Sequence, residues 1–186
     1  MRRLILQTSV SIDGYVAALD RSHPWSEGGD GDEDVKQWIL ESVRAAGAHL
    51  MGRVTYEEMA SVWPTSDSEF AAPMNEIPKV VFSKTLERAD WPETRIARGD
   101  LHDEVERLKR EPGGDLIAYG GARLDQSLSR LGLVDEYRLM VQPAALGAGL
   151  PLFKDLPGPL HLDLVDARVY SSGLAIHVYR PRSRLP

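Results

Sequence analysis

Two short runs combine a glycine, an arginine and a hydroxyl or second glycine where a strand should give way to a helix. In Leu50-Met51-Gly52-Arg53-Val54-Thr55-Tyr56, the glycine lets another group approach the backbone. The helix start behind it offers free N–H groups and a partial positive charge. Arg53 adds a fixed cation with two parallel donors and Thr55 adds a hydroxyl, a set that suits a phosphate. By spacing alone, a glycine turn with a surface arginine is the commoner meaning of such a run. The second run, Ala118-Tyr119-Gly120-Gly121-Ala122-Arg123, places paired glycines at the same kind of junction. There a pyrophosphate can reach backbone N–H groups. It lacks the G-x-G-x-x-G spacing of a dinucleotide fingerprint. Two such junctions in one small α/β chain weigh more than either alone, because parallel strands bring their C-terminal ends to one edge, where ligands bind.

Other candidate groups are less specific. Asp13 precedes Gly14 after an apolar run, so its carboxylate either faces a ligand or bonds its own turn. Asp34, among Asp32, Glu33 and Asp34, suits the start of a helix, and Trp38 at helical spacing suits a core. The histidines, His23, His49, His102, His161 and His177, show no ligand spacing, so no metal is expected. A G-x-S-x-G elbow is absent, and so is the H-x-E with P-C-x-x-C pattern of zinc deaminases.

The elements that must hold these groups follow from patterning. Leu4–Val10 reads as a first strand, and Ile12–Ala17 continues it past a turn. Val35, Trp38, Ile39 and Val43 predict a helix from about Asp32 to Ala46, closed by Gly47. His49–Met51, Lys79–Ser83, Thr94–Ala97 and Leu116–Tyr119 read as strands. Thr55–Val62, Leu101–Arg110 and Ala122–Leu131 read as helices. Tyr137–Gln142 is a strand, and Leu162–Val169 with Leu174–Tyr179 forms a hairpin around Ser171-Ser172-Gly173. Residues 20–32, Pro64–Pro78 and Pro143–Pro151 are expected as loops. The alternation of strand and helix to about residue 134 predicts an α/β fold: a mostly parallel central sheet, helices on both faces and an antiparallel C-terminal edge hairpin.

Composition bounds the function. The chain has 186 residues, of which 42% are hydrophobic, and no cysteine, so a core needs no staples, and disulfides, Cys-held metals and a thiol nucleophile are excluded. One domain over 1–182 with a short tail at 183–186 is expected. The net charge of −6 argues against a broad grip on nucleic acid or an anionic membrane. No apolar run is long enough to span a bilayer, and the residues after Arg2-Arg3 are too polar for a signal peptide, so a cytoplasmic location is expected.

Four segments then carry a resemblance. Ser11-Ile12-Asp13-Gly14-Tyr15-Val16-Ala17, Met51-Gly52-Arg53-Val54-Thr55-Tyr56-Glu57, Tyr119-Gly120-Gly121-Ala122 and Val134–Arg138 leading to Leu146-Gly147-Ala148-Gly149-Leu150-Pro151-Leu152-Phe153 occur in this order over most of the chain. The chain resembles the dihydrofolate-reductase-like superfamily, and most closely the reductase domain of riboflavin biosynthesis. The resemblance implies a three-layer fold of that type, NADPH as cofactor, and hydride transfer to a small pyrimidine or pterin. It implies that Gly52, Arg53 and Thr55 hold cofactor phosphates, with Arg53 on the 2′-phosphate. Ser83 and Lys84 take the adenosine side, and Gly120, Gly121, Ala122 and Arg123 line the pyrophosphate. For catalysis it points to Asp13 and Asp34, although ungapped counting back from Gly52 puts Lys36 at the position of the folate-binding acid. It also implies a homodimer, to which the apolar stretch Tyr137–Phe153 is the candidate contributor. The leading function is a 5-amino-6-(5-phosphoribosylamino)uracil reductase-like activity. Dihydrofolate reduction and a non-catalytic nucleotide-binding dimer are the alternatives.

Overall fold

Central strands of a parallel sheet are covered on both faces, and so they need apolar residues at consecutive positions. Leu4, Ile5 and Leu6 of β1 (Leu4–Ser11) and Leu116, Ile117 and Ala118 of β6 (Leu116–Ala118) meet that requirement, and all six are buried. In the computed structural model, which describes residues 1–24 and 32–182, these two strands sit side by side near the middle of an eight-stranded sheet. The other strands are β3 (Ala48–Gly52), β4 (Lys79–Phe82), β5 (Thr94–Ala97), β7 (Glu136–Gln142), β9 (Leu162–Val169) and β10 (Ala175–Pro181). The strand order is β5-β4-β3-β6-β1-β7-β10-β9. The first six run parallel, while β10 lies antiparallel to β7 and β9 antiparallel to β10. Two further short strands, β2 (Tyr15–Ala17) and β8 (Leu150–Pro151), form a separate antiparallel ribbon.

Helices cover both faces. Leu4, Leu6, Leu50, Leu116 and Ala118 point to a core closed by Val105 and Leu108 of α4 (Leu101–Arg110) and by Leu124 and Leu128 of α5 (Ala122–Arg130). On the opposite face, Met51 and Val81 meet Val43 of α1 (Glu33–Arg44), Tyr56 of α2 (Arg53–Val62) and Met74 of α3 (Ala71–Glu76). No helix among the described residues is long and apolar enough to cross a membrane.

The N-terminal edge of the sheet is tied by charge. Glu136 at the start of β7 is only 2% exposed and accepts from three guanidiniums: Arg3 at 3.0 Å, Arg138 at 2.9 Å and Arg180 at 3.0 Å. Arg3 also bonds Asp115, just before β6.

Two differences from the sequence reading have local causes. The stretch expected as loop at Pro64–Pro78 contains a short 3-10 turn at Trp63–Thr65 and the six-residue helix α3. The buried Lys79 ammonium donates to the carbonyl oxygens of Met74, Asn75 and Ile77, closing a helix too short to hold by propensity. The loop expected at Pro143–Pro151 ends in β8, whose two residues pair with β2 rather than with the main sheet. The helix expected to reach Ala46 ends at Arg44. The expected tail at 183–186, and residues 25–31 of the expected loop at 20–32, lie outside the described residues.

Candidate active site

The helix starts differ in how their free N–H groups are satisfied. Asp32 caps α1 by accepting from the Asp34 N–H, and Asp100 caps α4 by accepting from His102 and Asp103. The caps of α2 and α5 are Gly52 and Gly121, and neither helix has a side-chain cap. The first-turn N–H groups of these two helices therefore look outward with no side-chain acceptor supplied at the cap.

The starts of α2 and α5 touch. β3 and β6 are adjacent and parallel, so Gly52 and Gly120 emerge from the same edge of the sheet. A Cβ on Gly52 would lie 3.9 Å from Leu124 Cβ, and one on Gly121 would lie 3.0 Å from the Thr55 hydroxyl. Gly120 and Gly121 take φ of +93° and +89°, a conformation costly for any residue with a Cβ. The pair thus turns the chain sharply and leaves its backbone bare beside Thr55. Arg53 is the first residue of α2, half-exposed and bonded to Glu57 at 3.0 Å. Arg123 lies exposed in the first turn of α5. Ser83, just past β4, accepts from the N–H groups of Thr85 and Leu86, and Lys84 beside it is exposed. Since β4, β3 and β6 are consecutive strands, the Ser83–Lys84, Gly52–Thr55 and Gly120–Arg123 segments form one row, spanning roughly 10 Å between strand axes.

The same edge continues through β1 and β7. Asp13, in the turn after β1, is exposed at its carboxylate, yet both oxygens are engaged. Oδ1 accepts from the Ser11 hydroxyl at 2.6 Å and the Leu146 N–H at 3.2 Å, and Oδ2 accepts from the Gly147 N–H at 2.8 Å. The Ser11 hydroxyl and then the Gly147 N–H hold its pKa below the usual carboxylate range. The Ile12 N–H bonds Ala144 and the Leu152 N–H bonds Gly14. The Ser11–Ala17 and Leu146–Phe153 segments are thus a single unit, joined across more than 130 residues of chain.

Asp34 also starts its helix at this edge, but farther along it. It borders a groove of about 480 Å³ shared with Trp38, Arg168, Tyr170 and Ser171, beside the β9–β10 turn. Asp32 fixes that turn by accepting from the Ser171 N–H at 3.1 Å and its hydroxyl at 2.8 Å. The cofactor candidates are therefore brought together, Asp13 stands beside them on β1, and Asp34 stands apart across β7 and β10.

One group at the site was not singled out in the sequence. Asp125, in the first turn of α5, is fully buried, and neither oxygen has a hydrogen-bond partner. Its Oδ2 lies 3.2 Å from where a Cβ on Gly120 would stand, directly beneath the diglycine turn. Burial pushes its pKa up to about 8. The available signal was position: Asp125 falls on the inner stripe of α5 with Leu124, Leu128 and Ser129. His49, also buried in the sheet, packs tilted against Tyr119 with ring centroids 5.1 Å apart, and burial pulls its pKa down to about 4. Asp100, His102 and Asp103 bring ligand atoms close together, but all three are exposed and Asp100 is committed to capping α4.

The chain is similar to known proteins in sequence and in fold. The uncharacterized protein YyaP of Bacillus subtilis (strain 168) is 30% identical over 187 residues, covering 96% of this chain and 94% of YyaP. Among solved structures, the "Putative riboflavin biosynthesis protein" from Shewanella sp. PV-4 superposes with a TM-score of 0.81 at 22% identity, covering 97% of this chain and 99% of that one. A diaminohydroxyphosphoribosylaminopyrimidine deaminase/5-amino-6-(5-phosphoribosylamino)uracil reductase from Thermotoga maritima superposes at 0.69 and 18% identity, over 97% of this chain and 57% of that longer one. Dihydrofolate reductase from Enterococcus faecalis, complexed with NADP(H), superposes at 0.64 and 12% identity, over 97% of both chains. The fold is therefore dihydrofolate-reductase-like. A family model described as the RibD C-terminal domain matches residues 2–176, and the chain belongs to that family.

Proposed function

We propose that the chain is an NADPH-dependent reductase that passes hydride to a small heterocyclic substrate, of the kind handled by 5-amino-6-(5-phosphoribosylamino)uracil reductases. The observation that carries this reading is the pair of adjoining helix starts without side-chain caps, separated by a diglycine turn that no Cβ could occupy without strain. Such a cradle fits a pyrophosphate, because its N–H groups and the two helix dipoles converge on one place. NADPH supplies the hydride when bound. In this reading Gly52, Thr55, Gly120, Gly121 and Ala122 hold the phosphates, Arg53 and Arg123 offset their charge, and Ser83 with Lys84 receives the adenosine end.

The chain's remaining task is to orient the acceptor and exclude water. We assign the substrate side to the unit around Asp13 and to the α1 start bearing Asp34. Asp13 orders the 144–147 loop through its hydrogen bonds, and Asp34 offers a carboxylate at the far end of the same edge. Reduction of a ribosylamino group to the ribityl form takes one hydride from NADPH and one proton, which solvent or one of these acids can deliver. We also infer that the chain works as a homodimer in the cytoplasm.

The test is a fluorescence titration of the purified protein with NADPH and with NADH. NADPH is expected to bind more tightly, and Arg53→Ala should weaken NADPH roughly 10-fold while changing NADH little, since one charge-assisted pair is lost. Equal losses for both would remove Arg53 from the 2′-phosphate. No binding of either would remove the reductase reading and leave the fold to another ligand.

A further inference from the structure

The outermost strand, β9, is a long open edge. It has eight residues against four in β5 at the other end of the sheet. All residues after Leu162 are exposed, including Leu164 at 55%, Val165 at 46% and Val169 at 81%. Sheets usually protect such edges with charged side chains, lysine above all, with proline, with bulges or with a covering segment. Leu162–Val169 has no lysine or proline, and its charges are Asp163, Asp166 and Arg168, of both signs. A bulge interrupts the pairing with β10 between Val178 and Tyr179, and the stretch Asp166–Val169 beyond it is regular.

The hairpin decides which peptide groups are free. The Tyr170 N–H donates to the Leu174 carbonyl, so these two form a hydrogen-bonded pair. Antiparallel pairs alternate between bonded and non-bonded. Arg168–Ile176 and Asp166–Val178 are therefore bonded pairs, while Ala167 and Val169 turn their N–H and C=O groups away from β10.

An antiparallel strand laid along this edge must set its own outward groups opposite these. If that strand is β9 of a second copy, three central registers satisfy the rule. One sets Asp166 against Asp166, and another sets Arg168 against Arg168. The third puts Ala167 on the two-fold axis, with Asp166 facing Arg168 of the second copy twice, while Val165, the extra residue at the bulge, lies outside this regular pairing. Opposite charges face each other only in the third, and like charges directly opposite are destabilising. Asp166 and Arg168 already meet within one chain at 3.2 Å on a single face of β9, so the four side chains would alternate in sign across the seam.

We propose that this chain associates with a second copy of itself by antiparallel β9–β9 pairing in that register, joining the two sheets into one. The proposal rests on the homodimer reading and is independent of the hydride chemistry. It places the contact at the edge strand and not at the Tyr137–Phe153 stretch.

The chain has no cysteine, so Ala167→Cys introduces a single thiol at the axis. A bonded antiparallel pair holds its Cα atoms about 5.5 Å apart, within disulfide range. Light scattering should give twice the 20.6 kDa chain mass. Mild oxidation should convert Ala167→Cys to a covalent dimer, while Val62→Cys, on exposed α2, should stay uncrosslinked. Arg168→Asp should raise the dissociation constant at least 10-fold without altering the thermal melt of the monomer, and adding Asp166→Arg should restore it. A monomeric wild type would overturn both the homodimer and this pairing. A dimer that ignores Arg168→Asp and leaves Ala167→Cys uncrosslinked would overturn β9 alone. Neither result bears on the NADPH titration.

Discussion

Both carboxyl oxygens of Asp125 lie in the interior without a hydrogen-bond partner, and burial alone lifts its pKa to about 8. An unfolded chain releases that proton near the ordinary carboxyl value of 3.8, so between these limits the folded protein holds a proton the unfolded one has lost. Stability must then fall as pH rises through this window and level off above about pH 8. A shift of about four pKa units amounts to roughly 5 kcal/mol across it. Asp125→Asn removes the titration, so its melting temperature should lie close to that of wild type near pH 4 and increasingly above it by pH 8. Melts of both proteins at pH 5, 6.5 and 8 decide the matter; a constant difference would show that the carboxyl is not the titrating group. His49 titrates in the opposite sense, losing stability below its usual range, but it is common to both proteins and drops out of the difference. At this scale the sequence exposes residues that act through their own type, such as Arg53 or the Gly120–Gly121 pair. It hides Asp125, because the absence of a partner is a property of the surroundings and not of the residue.

Elements show the same division. The buried strands, the long helices and the C-terminal hairpin are legible because hydrophobic period and turn residues act locally. The helix α3 is not, since its six residues depend on a lysine that follows them to satisfy three carbonyls. Nor is the β2–β8 ribbon, which exists because the Asp13 turn and the Leu146–Phe153 loop hold each other. Both segments stood out in the sequence, but nothing in either reveals that one carboxylate clamps the other. Asp13→Ala should release the Leu146 and Gly147 N–H groups, and their amide exchange should accelerate. Under the proposed function, turnover should fall at least 10-fold while NADPH affinity changes less than twofold, because the cradle lies on β3 and β6. Loss of cofactor affinity in parallel with turnover would mean that the clamp supports the cradle as well.

Across the whole molecule the two edges of the parallel sheet do different work. At the N-terminal edge, charges are paired inward: Glu136 is enclosed by Arg3, Arg138 and Arg180, and Arg3 is held by Asp115. At the C-terminal edge, α1 and α4 are capped by Asp32 and Asp100, but the starts of α2 and α5 fall at glycines and have no side-chain cap. The fold thus pairs the charges around Glu136 at one edge and leaves two helix starts without side-chain caps at the other, where the proposed function seats the cofactor phosphates. Glu136→Gln weakens the charge holding three guanidiniums together and should cost about 3 kcal/mol of stability, with NADPH affinity unchanged. Gly121→Ala should cost less stability, since a Cβ at φ +89° strains the turn by about 1–2 kcal/mol, and it presses on Thr55. It also blocks the bare backbone, so NADPH affinity should drop more than 10-fold. Chemical denaturation and cofactor titration of the two variants form a crossed pair of measurements. If Glu136→Gln lost NADPH affinity along with stability, the edges would be coupled through β1 and β6, and the separation of structural and ligand-facing ends would not hold.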